Sequence, residues 1–212
     1  MEHDFWHERW EKNEIGFHEE SGNPFLKKYC SLVKKADAPR VFVPLCGKTK
    51  DIGYLLSLQC DVVGAELSER AVQQLFDELD VPPHVTQDGP FKVYRFENVT
   101  IFVGDVFELT ATQLGRVTAV YDRAALVALP FAMRQRYTAH IADITAKADQ
   151  LLLTFDYDQQ AMDGPPFAVS ECEVRDHYEH RYTVSLLQEQ PVEGGLKGQV
   201  DARALVFSLT AR

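Results

Sequence analysis

Apolar residues follow two different periods along this chain. Val41, Phe42, Val43, Pro44 and Leu45 run without a polar break, as expected of a strand covered on both faces. Asp61–Ala65 (DVVGA) is a second such run. Between them Cys46-Gly47 turns the chain, and Ile52, Leu55, Leu56 and Leu58 recur at helical spacing, with Asp51 at the expected N-cap. Ser68 is the expected cap of the next helix, whose inward face is Val72, Leu75, Phe76 and Leu79, and Val81-Pro82-Pro83-His84 ends it.

Further strands are predicted over Phe91–Phe96, Val99–Val103, Val117–Tyr121, Gln150–Phe155, Tyr182–Gln188 and Ala202–Leu209. Helices are predicted over Pro130–Lys147 and Ser170–His177, and Tyr157–Phe167 reads as a loop containing Gly and Pro. Ahead of the sheet, Phe5, Trp6 and Trp10 mark one amphipathic helix. Phe25, Leu26, Tyr29 and Val33 mark another over Asn23–Lys34. Residues 1–35 thus form a helical segment that serves as a lid or covers a sheet edge. Strand–helix alternation followed by a closing hairpin predicts an α/β, Rossmann-like fold. Its mostly parallel sheet has about seven strands, helices on both faces and one antiparallel strand from the hairpin.

Composition narrows the class. A chain of 212 residues, 45% hydrophobic and 25% charged, fits one globular domain over 1–212. A formal net charge of −10 argues against nucleic acid as a partner. Met1–Phe5 lacks a basic n-region, and no run of about 18 apolar residues occurs, so a cytoplasmic protein with no membrane partner is expected. Cys30, Cys46, Cys60 and Cys172 show no CxxC spacing, so neither a disulfide framework nor a zinc knuckle is indicated.

The candidate chemistry lies at strand ends, where open α/β sheets bind ligands. Leu45-Cys46-Gly47, Glu66 and Gly104-Asp105-Val106 follow three strands, and Asp122-Arg123 follow a fourth. Glu66 comes about 20 residues after the glycine turn, the spacing of an acid that accepts from ribose hydroxyls. The turn lacks GxGxxG, which disfavours a dinucleotide pyrophosphate. Gly47-Lys48-Thr49 looks like the end of a P-loop, but Phe42 stands where that template requires Gly. A cofactor with adenosine and no phosphates suits the turn best, and S-adenosylmethionine is the candidate. His3 and His7 are spaced i, i+4, but Asp4 stands where a zincin has Glu, so no metal site is expected.

Six segments carry a family resemblance: FWHERW (Phe5–Trp10), Gly16–His18, VFVPLCGK (Val41–Lys48), VVGAELS (Val62–Ser68), YDRAALVALP (Tyr121–Pro130) and Asp156 with Gly164–Phe167. Together they resemble the thiopurine S-methyltransferase family, and the bacterial members in particular, along nearly the whole chain. The resemblance implies a class I methyltransferase fold that uses S-adenosylmethionine and acts on an aromatic or heterocyclic thiol such as a thiopurine; a monomer is the expected state. Bacterial relatives are also linked to methylation of inorganic selenium or tellurium species, and a non-catalytic cofactor-binding module is a further alternative.

Carried over by position, Trp10 packs at the methionine end of the cofactor, Leu45 binds it through the backbone, Glu66 holds the ribose, and Asp105 and Val106 flank the adenine. Arg123 lines both cofactor and acceptor and is the catalytic candidate, with an ion pair to Asp122, Asp105 or another acid as its structural alternative. Phe17, Pro166 and Phe167 wall the substrate side. Pro191–Ala202 departs from the family pattern, which puts a second substrate-side arginine in doubt.

Overall fold

A computed structural model describes residues 3–12, 14, 19 and 21–212. The chain forms one nine-stranded sheet of order β3-β4-β5-β2-β1-β6-β7-β9-β8. The strands are β1 (Arg40–Pro44), β2 (Asp61–Glu66), β3 (His84–Asp88), β4 (Phe91–Phe96), β5 (Val99–Val103), β6 (Ala119–Arg123), β7 (Asp149–Asp156), β8 (Tyr182–Pro191) and β9 (Arg203–Ala211). The five central strands β5, β2, β1, β6 and β7 are parallel, as their continuous apolar runs predict.

Two expectations need correction. The sheet has nine strands, not about seven (the predicted segments themselves number eight), and two strands run in reverse, not one. The strand with no sequence signal is β3, whose HVTQD carries no apolar alternation because it is an exposed edge paired only with β4. The second reversed strand is β4, which returns through a tight turn at Glu97, with φ +42°, to pair antiparallel with β5. β9 runs antiparallel to β7 and β8 and lies inside the sheet, in keeping with its weak alternation.

Helices cover both faces. α1 (His3–Glu11), α2 (Pro24–Val33), α3 (Lys50–Ser57) and α4 (Glu69–Leu79) precede β3 in the chain, and α5 (Ala111–Leu114), α6 (Phe131–Ile144) and α7 (Glu171–Tyr178) follow β5. Successive strand residues feed opposite cores. Val41, Val43 and Val62 pack with Leu26 of α2, Ile52 and Leu55 of α3 and Phe76 of α4. Phe42, Val63 and Ala65 pack with Leu114 of α5, Tyr137 and Ile141 of α6 and Val174 of α7. Each such fully buried large side chain contributes about 1.5–3 kcal/mol from removal of apolar surface from water.

The α3 cap also differs from expectation. Thr49 is the N-cap, its side chain accepting from the Asp51 N–H at 3.3 Å. Asp51 lies inside the first turn, only 1% exposed, and accepts from the Asn23 N–H at 2.6 Å and the Tyr121 hydroxyl at 2.9 Å. Ser68 caps α4 as predicted. Among the described residues no helix is long and apolar enough to cross a membrane.

Candidate active site

The central carboxyl ends stand in the spatial order β5, β2, β1, β6, β7. The chain therefore leaves β1 toward β2 on one side and reaches β6 on the other, which makes β1 the switch point where ligands bind in such sheets. Glu66 ends β2 and is 7% exposed. Its Oε2 accepts the Gly47 N–H at 2.8 Å and its Oε1 accepts the Ser68 N–H at 2.8 Å. Burial pushes the Glu66 carboxyl up from its ordinary value, and the N–H donors of Ser68, Gly47 and Leu67 oppose that shift. A carboxylate offers about four lone-pair sites, so acceptor capacity remains on both oxygens.

A crevice of about 410 Å³ opens beside it. Its walls include His7 and Trp10 of α1, Leu67 and Ser68 after β2, and Val103 and Gly104 at the end of β5. Trp10 is 3% exposed and lies against Gly47, where an added Cβ would come within 3.0 Å of the indole Cζ2. Leu45 (φ +47°) and Gly47 (φ +51°) both adopt left-handed backbone at the end of β1. For Gly47 that conformation is free of strain, and the missing side chain admits the indole.

Asp105 accepts the Phe107 N–H at 2.9 Å and so caps a short 3₁₀ turn. Val106 is in the core, and its carbonyl meets His140 Nε2 at 2.8 Å. These two residues stand at the β5 end of the same row of strand ends as Glu66. Lys48, the P-loop-like lysine, instead pairs with Glu78 of α4 at 2.8 Å. Glu78 also holds Lys50 at 2.6 Å, so one carboxylate turns both ammonium groups toward α4.

Two adjacent residues at the end of β6 have different surroundings. Asp122 is fully buried and accepts from the Tyr137 hydroxyl at 2.7 Å and the Leu126 N–H at 3.1 Å. Burial raises its carboxyl to about 6, against the opposing hydrogen bonds from Tyr137, Leu126 and Ala125. Arg123 does not pair with Asp122 or Asp105. Its Nη2 meets Glu19 Oε1 at 2.6 Å. Glu19 is a partner that sequence reasoning did not name, since nothing local signals an ion pair across about 100 residues of chain.

Pro166 and Phe167 come next to β6 through the loop after β7. The Phe167 N–H donates to the Val127 carbonyl at 2.6 Å, four residues beyond Arg123. The Tyr157 hydroxyl donates to the Pro166 carbonyl at 2.6 Å. Arg134 places its guanidinium over the Phe167 ring, 5.8 Å from the centroid. A second cavity of about 310 Å³ lies under this loop, between Met162, Asp163, Gly164 and Lys197. Lys197 donates to the Pro165 carbonyl at 2.6 Å, so the segment expected to lack a second arginine carries a lysine beside this loop. Phe17 lies outside the described residues.

Residues 1–203 match the family model described as thiopurine S-methyltransferase. The chain belongs to the thiopurine S-methyltransferase family. Among similar members are the thiopurine S-methyltransferases of Teredinibacter turnerae, 49% identical over 99% of this chain and 98% of the relative, and of Xanthobacter autotrophicus, 51% identical over 99% of each. The fold is shared with an S-adenosylmethionine-dependent methyltransferase from Anabaena variabilis (TM-score 0.66, 12% identity, 99% of this chain and 95% of that one). It is shared as well with the 1,6-didemethyltoxoflavin-N1-methyltransferase of Burkholderia thailandensis, whose structure has S-adenosylhomocysteine bound (TM-score 0.64, 15% identity, 98% and 87%).

A thiopurine S-methyltransferase family member uses S-adenosylmethionine, and the residues present fit that cofactor. The Glu66 carboxylate, next to crevice residues Leu67 and Ser68, retains acceptor sites for ribose hydroxyls, and the Lys48 ammonium is turned toward Glu78 of α4. Such a site favours an adenosine group without phosphates.

Proposed function

We propose that this chain is a cytoplasmic, monomeric enzyme that transfers the methyl group of S-adenosylmethionine to the sulfur of an aromatic or heterocyclic thiol. Glu66 accepts from the ribose hydroxyls, Leu45 contributes backbone at the β1 turn, and Asp105 and Val106 border the adenine. Trp10 closes the methionine end, from an amino-terminal helical segment acting as a lid. Arg123 faces the acceptor, and Pro166 and Phe167 enclose it. The observation that carries this reading is the linear order of strand ends. It sets a buried carboxylate, Glu66, on one side of the β1 turn and a guanidinium, Arg123, only 14% exposed, on the other.

When bound, S-adenosylmethionine supplies an electrophilic methyl on a sulfonium, whose charge disappears as the acceptor sulfur attacks. The protein is needed mainly to align the two sulfurs and keep water out. Orientation of this kind supplies several kcal/mol of the barrier reduction. Arg123 has five N–H donors set in a planar fork. Of these, only Nη2 has an acceptor among the described residues. The others suit a thiolate or a ring nitrogen of the acceptor, and holding the acceptor as thiolate removes the need for a dedicated base. The apolar ring of Phe167 excludes water from the acceptor side.

The test is a methyl-transfer assay with a thiopurine and simple aromatic thiols, paired with calorimetry using S-adenosylhomocysteine and NAD. Turnover with thiols is expected, with binding of S-adenosylhomocysteine and none of NAD. Arg123→Ala should lower kcat/KM by at least tenfold while leaving the thermal midpoint near that of the parent. Binding of NAD in place of S-adenosylhomocysteine, or cofactor binding with no thiol turnover, would overturn the reading.

A further inference from the structure

Arg123 is part of a closed circuit of polar contacts that begins and ends on β6. The Tyr121 hydroxyl donates to Asp51 Oδ2 at 2.9 Å, and Asp51 Oδ1 accepts the Asn23 N–H at 2.6 Å. Asn23 Nδ2 donates to Glu19 Oε2 at 3.1 Å, and Glu19 Oε1 meets Arg123 Nη2 at 2.6 Å. Tyr121, Asp51 and Asn23 are all at least nine-tenths buried, whereas the Glu19 side chain is 40% exposed. A buried scaffold thus presents a partly exposed carboxylate to the guanidinium.

The approach is tight. Gly22 has φ +71°, and an added Cβ there would stand 3.0 Å from Asp51 Oδ1. Glycine at that position lets the chain bring Asn23, and with it Glu19, into place.

A lone arginine beside an acceptor pocket attracts any carboxylate, because the guanidinium fork matches it bidentately. Here one guanidinium nitrogen, Nη2, already meets the chain's own carboxylate. A second carboxylate on an acceptor would meet both an occupied fork and a like charge, the kind of repulsive element that creates selectivity. A neutral heteroaromatic ring, or a thiolate sulfur with its diffuse charge, needs only the remaining N–H donors. We propose that Glu19 is a specificity residue: by neutralising Arg123 it makes the acceptor pocket select aromatic thiols without a carboxylate group over those that carry one. This rests on the reading of Arg123 as the acceptor-side residue.

The probes are 4-mercaptobenzoate and 4-mercaptobenzamide, which match in shape and differ in charge. Their affinities are measured by calorimetry on the full chain saturated with S-adenosylhomocysteine, for the parent, Glu19→Gln and Glu19→Ala. The parent should favour the amide. Either variant should shift the benzoate-to-amide affinity ratio toward the benzoate by at least tenfold, and Glu19→Asp should restore the parent preference. If Glu19 served only to anchor the amino-terminal segment, both probes would weaken by the same factor, and an unchanged ratio overturns the proposal. Arg123→Ala separates the two levels of the argument. If it leaves both affinities at the parent value, Arg123 does not face the acceptor and both readings fall. If it weakens both while the Glu19 variants leave the ratio fixed, only the role of Glu19 falls.

Discussion

The Glu66 carboxylate and the Gly47 N–H meet at 2.8 Å although they belong to different strand ends. One side chain therefore both fixes the turn after β1 and stands ready for a ligand. Glu66→Ala would leave the buried N–H groups of Gly47 and Ser68 without their acceptors, each at a cost of about 1–3 kcal/mol. S-adenosylhomocysteine affinity should also fall by roughly 1–3 kcal/mol. Calorimetry and thermal denaturation of the same variant should thus move together. A variant that loses affinity with no loss of stability would show that the turn is held by other contacts.

Gly47 is the position where backbone and indole compete for space. Gly47→Ala places a methyl within 3.0 Å of Trp10 and forces a left-handed conformation on a residue with a Cβ. The left-handed backbone alone costs about 1–2 kcal/mol. Cofactor affinity should drop along with the midpoint of urea denaturation. Gly53→Ala serves as the control, since its new methyl would lie an ordinary 3.6 Å from Leu79.

Asp122 gives the protein a pH-dependent stability of known sign. Its carboxyl is raised to about 6 from an ordinary 3.8, so the folded state prefers the protonated form. Between those values the native protein binds more protons than the unfolded chain. The group's contribution is therefore greatest below about pH 4 and declines as pH rises to about 6, by on the order of 3 kcal/mol in all. Asp122→Asn cannot ionise and should flatten that decline. Urea midpoints measured across this interval check it, and an unchanged slope in the variant would assign the dependence to other groups.

Arg134 links α6, α7 and the acceptor-side loop. Its guanidinium meets Glu173 at 2.6 and 3.2 Å, donates to the Leu129 carbonyl at 2.8 Å and covers the Phe167 ring. Arg134→Met would leave Glu173 with only His177 as partner. Removal of one member of a buried pair costs about 3 kcal/mol or more. Because Phe167 loses its support, KM for the thiol should rise while affinity for S-adenosylhomocysteine stays constant. Pairing the change with Glu173→Leu should recover most of the stability but not the KM.

The sequence is most readable where one residue's role depends on its own strand. The apolar runs of β1 and β2 locate the central parallel sheet, and an acid at the end of β2 stands where a ribose ligand is expected. Ser68 caps α4 from a local pattern. The same local pattern marks Asp51 as a cap, yet its carboxylate serves Asn23 and Tyr121, partners far away in the chain. The Glu19–Arg123 pair is invisible for a similar cause, since charge complementarity leaves no periodic trace. HVTQD of β3 carries no strand signal because an exposed edge strand need not alternate.

Both tryptophans of the chain, Trp6 and Trp10, sit on α1. The ultraviolet emission of this protein therefore originates almost wholly in one nine-residue helix beside the crevice. An unfolding curve followed by that emission records detachment of α1, whereas backbone dichroism records the sheet. The gap between the two midpoints measures how independently the helix leaves its seat on Gly47.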